Sequence, residues 1–221
     1  MAKKKTILYV DGENFLFKVA DILKANKNVR YKYEITQFSF AMLCETALNE
    51  YSVDDRKYYA AKVHFHDDTP ELAKKSNQII ESQRRLKRNL TNDGTSFISS
   101  GNVRLQDIIP ATRNSLVKYI FKEKGTDVQL AVDILSDVCG GNVSTVLILS
   151  SDSDMQPVVR EVKRRGGRIV YVGFEDKPNV GLSNSCHQTI LLRKKEIIDA
   201  WKGPQPPLNI SNYPQVDKKR S

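Results

Sequence analysis

Apolar positions along the chain follow two different spacings. Short unbroken runs, "KTILYV" (5–10), "STVLILSS" (144–151) and "RIVYVGF" (168–174), read as strands, and the uncharged second run fits a central strand buried on both faces. Between such runs, apolar residues recur every three or four positions. Phe15, Val19, Ile22 and Leu23 mark a helix over 14–26, and further helices are predicted over 36–51, 69–90, 126–139 and 154–165. Thr69, Pro70 and Glu71 give the third of these a start signal, and glycine pairs at 140–141 and 166–167 stop the last two. "DRKYYAAKVHFH" (55–66) has the tyrosine and β-branched content of a strand. "DGTSFISSGNVRLQD" (93–107) reads as a hairpin with turn signals at Gly94 and "SGN", and "SLVKYIFKEKG" (115–125) as another strand. "QTILL" (188–192) is a candidate last strand and "KKEIIDAW" (194–201) a short helix.

Strands alternating with helices imply an α/β fold, a mostly parallel sheet with helices on both faces. In such sheets binding sites collect at the carboxyl ends of the strands. Asp11 and Asp152 each directly follow a predicted strand, so both are expected on that edge. Residues 1–202 are expected to form one domain, with a basic helix and hairpin inserted at about 69–122. Residues 203–221, rich in proline and polar residues, read as a flexible tail. There is no internal repeat.

Composition narrows the function classes. The 221 residues carry 35 Lys and Arg against 26 Asp and Glu, a net charge of +9. A basic surface attracts polyanions, and nucleic acid is the first candidate partner. No apolar run approaches the length of a membrane span, so no membrane partner is expected. The apolar stretch before Asp11 is too short for a signal peptide. Three scattered cysteines, Cys44, Cys139 and Cys186, form no CxxC pair and read as reduced thiols of a cytoplasmic protein.

Acidic residues then supply candidate chemistry. "YVDGEN" places Asp11 at the end of the first strand with Asn14 one turn on. "KGTDVQLAVD" places Asp127 at a helix start, with Asp133 about 120° further round that helix. "SSDSD" places Asp152 and Asp154 after the central strand. Taken singly, each aspartate reads as a helix cap. Capping does not explain three acidic segments ending on one edge of one sheet. Converging carboxylates repel one another, and a hard cation is the usual compensation. Mg²⁺ and Mn²⁺ take oxygen ligands, keep several waters and can clamp a phosphodiester.

The segments "ILYVDGENF", "KGTDVQLAVDIL" and "LILSSDSDMQPVVREVKRRGGRIVYVGF" resemble, in order and spacing, the signature segments of the NYN domain of the LabA-like type, within the PIN-like nucleases. The resemblance covers about residues 5–192. It implies a three-layer α/β/α Rossmann-like fold and metal-dependent ribonuclease chemistry in Mg²⁺ or Mn²⁺. It assigns Asp11, Asp127, Asp152 and Asp154 to acidic metal-site positions with a catalytic role, and Asn14 to the asparagine of the first motif. Ser151 precedes the acidic pair, and Asn14, Ser151 and Asp133 would support the site. Departures are Ser151 and Ser153 where glycine is frequent, Met155 where an aromatic is common, and Cys186–His187 where an Ala-Asp pair is expected.

Basic residues fall in two groups. Lys74, Lys75, Arg84, Arg85, Lys87 and Arg88 lie on the predicted 69–90 helix, while Arg160 and Arg164, with Lys163, Arg165 and Arg168, follow the acidic pair. Either is a solvated helix face in its plainest reading; together they suit sequence-independent phosphate contacts to RNA. Tyr58, Tyr59 and Tyr119 are candidates for stacking on bases, with core packing the simpler role. His64, His66 and Asp67 share one face if their segment is a strand, but no fourth zinc ligand has a recognisable spacing. The reading that results is an RNA-cleaving enzyme. The alternatives are a non-catalytic RNA- or protein-binding module on the same fold, and a DNA-directed or structure-specific nuclease. A homodimer is open, with Trp201 and the tail as docking candidates.

Overall fold

The computed structural model describes residues 4–25, 32–108 and 118–203. The chain enters through the middle of its sheet. Strand β1 (Lys5–Asp11) leads into α1 (Gly12–Ala25), and after a 3-10 turn α2 (Phe40–Thr46), β2 (Asp55–Lys62) and α3 (Pro70–Asn92) follow. Next come β3 (Ser96–Ile108), β4 (Lys118–Lys124), α4 (Thr126–Cys139), β5 (Val143–Leu149), α5 (Gln156–Arg164), β6 (Arg168–Phe174), α6 (Val180–Ser185), β7 (Gln188–Leu192) and α7 (Lys194–Ala200).

The seven strands lie in the order β4-β3-β2-β1-β5-β6-β7. All neighbours are parallel except β3 and β4. The chain therefore runs outward from β1 on one side, then returns to place β5 against β1 on the other. That reversal opens a crevice at the carboxyl ends of β1 and β5.

Alternation within the strands builds the two flanking layers. Leu8 and Val10 of β1, with Leu147, Leu149, Val170 and Val172, pack under α1, α2, α3 and α7. Ile7 and Tyr9, with Val146, Ile148, Ile169 and Tyr171, face Leu130 and Ile134 of α4, Val158 and Val159 of α5 and Leu182 of α6. The result is the expected three-layer α/β/α fold. Trp201 packs against the first of these cores and bridges to Phe38 of its own chain.

Several local expectations change. The predicted 93–107 hairpin is one continuous strand, β3. Gly101, at φ +68°, marks a register shift against β2 rather than a turn, and the antiparallel partner is β4. The predicted 36–51 helix is only α2: Ser39 caps it through Met42 N at 3.1 Å, and Phe38 is extended against Trp201. Strand β2 stops at Lys62, so His64 and His66 do not share a strand face; His64 bonds Asn102 instead. Neither α6 nor the turn at 32–34 is signalled by the periodicity. Residues 204–221 of the expected tail, and the side chain of Tyr119, lie outside the described residues. Among the described residues no helix is long and apolar enough to cross a membrane.

Candidate active site

Asp11 is the last residue of β1, buried at the crevice. Helix α1 starts at the next residue because Gly12 has no side chain: a Cβ there would lie 2.3 Å from the Tyr59 carbonyl oxygen. This abrupt strand-to-helix step brings Asn14 back over Asp11. The Asn14 amide nitrogen donates to Asp11 Oδ2 at 2.5 Å and its backbone N–H to Oδ1 at 3.2 Å. The Ser150 hydroxyl donates to the same Oδ2 at 2.9 Å. Burial pushes the Asp11 carboxyl above its ordinary range; the donors from Asn14 and Ser150 pull it down, and the nearby Asp152 charge pushes it up.

The other wall of the crevice follows β5. Ser150 Oγ accepts from Asp152 N at 3.1 Å, and Ser151 Oγ donates to Asn14 Oδ1 at 2.8 Å. Asp152 caps a 3-10 turn over 153–155, its Oδ1 accepting from Asp154 N at 2.9 Å. Asn179, which caps α6, donates to the Ser151 carbonyl at 2.9 Å and holds this loop from behind.

Asp127 arrives from a third direction. Strand β4 runs antiparallel and ends at the carboxyl edge of the sheet, where Gly125 takes φ +85° and α4 begins. A cleft of about 400 Å³ results, lined by Asp11, Glu13, Asn14, Glu123, Lys124, Gly125, Thr126, Asp127, Val128 and Asp152.

Of the residues singled out in the sequence, Asp11, Asn14, Asp127 and Asp152 thus share one cleft, with Ser151 hydrogen-bonded to its rim. Asp154 is exposed one turn beyond and does not line it. Asp133 lies deeper along α4, where its carboxylate accepts from Tyr59 OH at 2.9 Å and Gln129 Nε2 at 2.8 Å.

The basic groups are more dispersed. Lys74 and Lys75 sit in the first turns of α3, on the carboxyl edge, with Lys75 over the Phe121 ring. Arg84, Arg85, Lys87 and Arg88 fall in the half of α3 that runs toward the opposite edge, because a crossover helix returns antiparallel to its strands. Arg84 pairs with Glu81 at 2.6 Å. Arg160 is mid-helix in α5, and Arg164 ends that helix at the far edge, paired with Glu161 at 2.6 Å. Tyr58 and Tyr59 are fully buried and unable to stack on a ligand.

Sequence reading missed Glu13, Ser150, Glu123, Lys124 and Asn179. Glu123 is the most perturbed: burial first, then the charges of Glu13 and Asp11, push its carboxyl up to about 7 against the pull of Thr126 and the Ala61 N–H. Its position next to the "KGTD" segment was the one available signal.

Every side-chain donor to a cation in this cleft is an oxygen, which selects a hard ion. Among the described residues, no three His, Cys, Asp or Glu side chains form a ready metal cage. The donor set therefore fits Mg²⁺ or Mn²⁺ held by one or two carboxylates while keeping most of its water.

The sequence model of the NYN domain family matches residues 5–193. An uncharacterized protein of Methanocaldococcus jannaschii is 29% identical over 76 residues, 34% of this chain and 32% of that one. The match thus spans about a third of the relative's length. A crystal structure of a protein of unknown function from Vibrio parahaemolyticus superimposes with a TM-score of 0.53 at 17% identity, over 86% of this chain and 93% of that one. That likeness concerns the fold.

Proposed function

The chain belongs to the NYN domain family, a PIN-like nuclease-type family, and from that premise we propose that it is a divalent-metal-dependent ribonuclease. One observation carries the reading: Asp11, Asp127 and Asp152, from three separate segments, line one open cleft at the switch point of the sheet. Nuclease chemistry needs negative charge poised to hold a cation against a phosphodiester, and this cleft concentrates that charge.

Asp11, Asp127 and Asp152 would hold the ion, with Asp154 positioned to contribute if the 3-10 turn adjusts. When bound, Mg²⁺ or Mn²⁺ supplies Lewis-acid stabilisation of phosphodiester oxygens and acidifies water. The chain's own groups do the rest. Three donors fix the Asp11 carboxylate in one orientation and favour its ionised form. Ser151 orients the Asn14 amide that does part of this work. Lys124 brings a cation to the rim, suited to a phosphate oxygen.

The test is cleavage of end-labelled RNA by purified protein in Mn²⁺ or Mg²⁺, beside EDTA and Asp152→Asn controls and a matched DNA strand. Cutting of RNA that vanishes in both controls is the expected result. RNA that binds and stays intact would favour the binding-module reading, and preferential cutting of DNA the DNA-directed one.

A further inference from the structure

Strand β3 is longer than its neighbours. Its last pair with β2 is Asn102 opposite Lys62, yet it continues to Ile108 with only β4 beside it. Residues 103–108 and 118–123 thus form a two-stranded ribbon beyond the carboxyl edge. Gly101 permits the exit: a Cβ there would lie 2.4 Å from the Lys124 carbonyl oxygen.

The ribbon has two unlike faces. Val103, Phe121 and Glu123 line an apolar cavity of about 60 Å³ against Ile79, Gln83 and Leu86 of α3. Residues of opposite parity, Arg104, Lys122 and Lys124, are all exposed. Arg104 sits directly opposite Lys122 in the antiparallel register. Like charges at such a position repel, and folding alone gives no reason to keep them.

Among the described residues, their surroundings do not relieve the repulsion. Elsewhere Glu161 answers Arg164 and Arg165, Glu81 answers Arg84, and Asp137 answers Lys57. Among the described residues, Arg104, Lys122 and Lys124 form no ion pair. The row also has a direction: it ends at Lys124, which lines the carboxylate cleft.

We propose that the outer face of the β3–β4 ribbon is a docking rail for the phosphate backbone of single-stranded RNA, with Arg104 and Lys122 gripping phosphates upstream of the cleft and Lys124 passing the strand into it. This rests on the nuclease reading only for the strand's destination. Phosphate contacts of this kind are independent of base sequence and governed by counterion release.

The experiment measures anisotropy of a labelled single-stranded RNA in EDTA across a salt series, so that cleavage plays no part. The Arg104→Gln/Lys122→Gln protein should bind at least about tenfold more weakly at low salt, with a log–log salt slope shallower by about 1.4 for two lost contacts on a single strand. Its melting temperature should equal or exceed that of the wild type, because repulsion is removed. Arg104→Glu, which places a carboxylate opposite Lys122, should be at least as stable and bind worse still. Lys87→Gln/Arg88→Gln, at the far end of α3, should leave slope and affinity unchanged. Wild-type affinity and slope in the ribbon variants would overturn the rail, as would an equal loss in the α3 variant. Ribbon-dependent binding by a protein that cuts no RNA in Mn²⁺ would uphold the rail and remove the nuclease reading.

Discussion

Ser150, one residue past β5, donates its hydroxyl to Asp11 Oδ2 at 2.9 Å, across the point where the sheet reverses its strand order. The Ser150 Oγ in turn accepts from Asp152 N at 3.1 Å. One hydroxyl therefore ties both acidic strand ends to a common position. Ser150→Ala should lower stability by about 1–3 kcal/mol, since a buried carboxylate loses a donor. It should also raise the Asp11 pKa further, because a bond that favours the ionised form is gone. The acidic limb of the rate–pH profile is then expected to move to higher pH. A profile that keeps its acidic limb in place would separate Asp11 ionisation from the reaction.

Asp133 and Asp152 should part company under substitution. Asp133 accepts from the buried Tyr59 hydroxyl and from Gln129, and none of the three lines the cleft. Asp133→Ala should cost about 1–3 kcal/mol by stranding that hydroxyl, with the cleavage rate of the folded fraction within about twofold of wild type. Asp152→Asn should do the reverse: an unchanged melt and a rate at least about 100-fold lower, near 2.7 kcal/mol of barrier. Melting curves and single-turnover rates on both proteins read the contrast.

The two outcomes reflect what was legible in the chain. Asp11 and Asp152 could be placed on one edge because the ends of parallel strands share an edge, whatever the helices do, whereas Asp127 follows the antiparallel β4 and reaches that edge only because β4 pairs with the outer half of β3. Asp133 was ambiguous because a helix face cannot be matched to a partner until the sheet beneath it is known. Arg84 to Arg88 and Arg164 were grouped as RNA contacts by their charge, yet the crossover helices carry them toward the far edge. Gly101 illustrates a different limit: a glycine with positive φ serves a turn or a bulge equally well. Reading it as a turn hid the long ribbon. Glu123 gained its place from the antiparallel register of β4, which local periodicity does not encode.

Glu123 makes stability depend on pH in a defined direction. Its carboxyl is raised from 4.5 to about 7, mainly by burial. Between these values the folded state holds more protons than the unfolded one, so stability falls as pH rises. The contribution is complete below about pH 4.5 and lost above about pH 7, and its size is on the order of 3 kcal/mol. Melting in EDTA should therefore drop by roughly 6–12 °C from pH 4.5 to 7.5. The raised carboxyl of Asp11 acts with the same sign. Glu123→Gln should flatten most of this slope; a slope that survives intact would assign it to other groups.

Gly12 joins stability to the site. It follows Asp11 and begins α1, and its carbonyl accepts from the buried Tyr58 hydroxyl at 3.1 Å. A Cβ at this position would meet the Tyr59 carbonyl oxygen at 2.3 Å and the Tyr58 ring at 2.5 Å. The first contact is with backbone in the middle of the sheet, and the second with a ring packed between Phe15, Phe40 and Phe97. Neither can rotate aside, so α1 must move instead. Gly12→Ala should cost about 1–3 kcal/mol or more, roughly 2–10 °C in melting temperature for a chain of this length. The same movement would draw Asn14 away from Asp11, so activity should fall in the molecules that remain folded. Ala20→Gly, in the interior of the same helix, should cost about 1 kcal/mol without that loss. If the two variants lose activity only in proportion to their unfolded fractions, the start of α1 has no part in orienting Asp11.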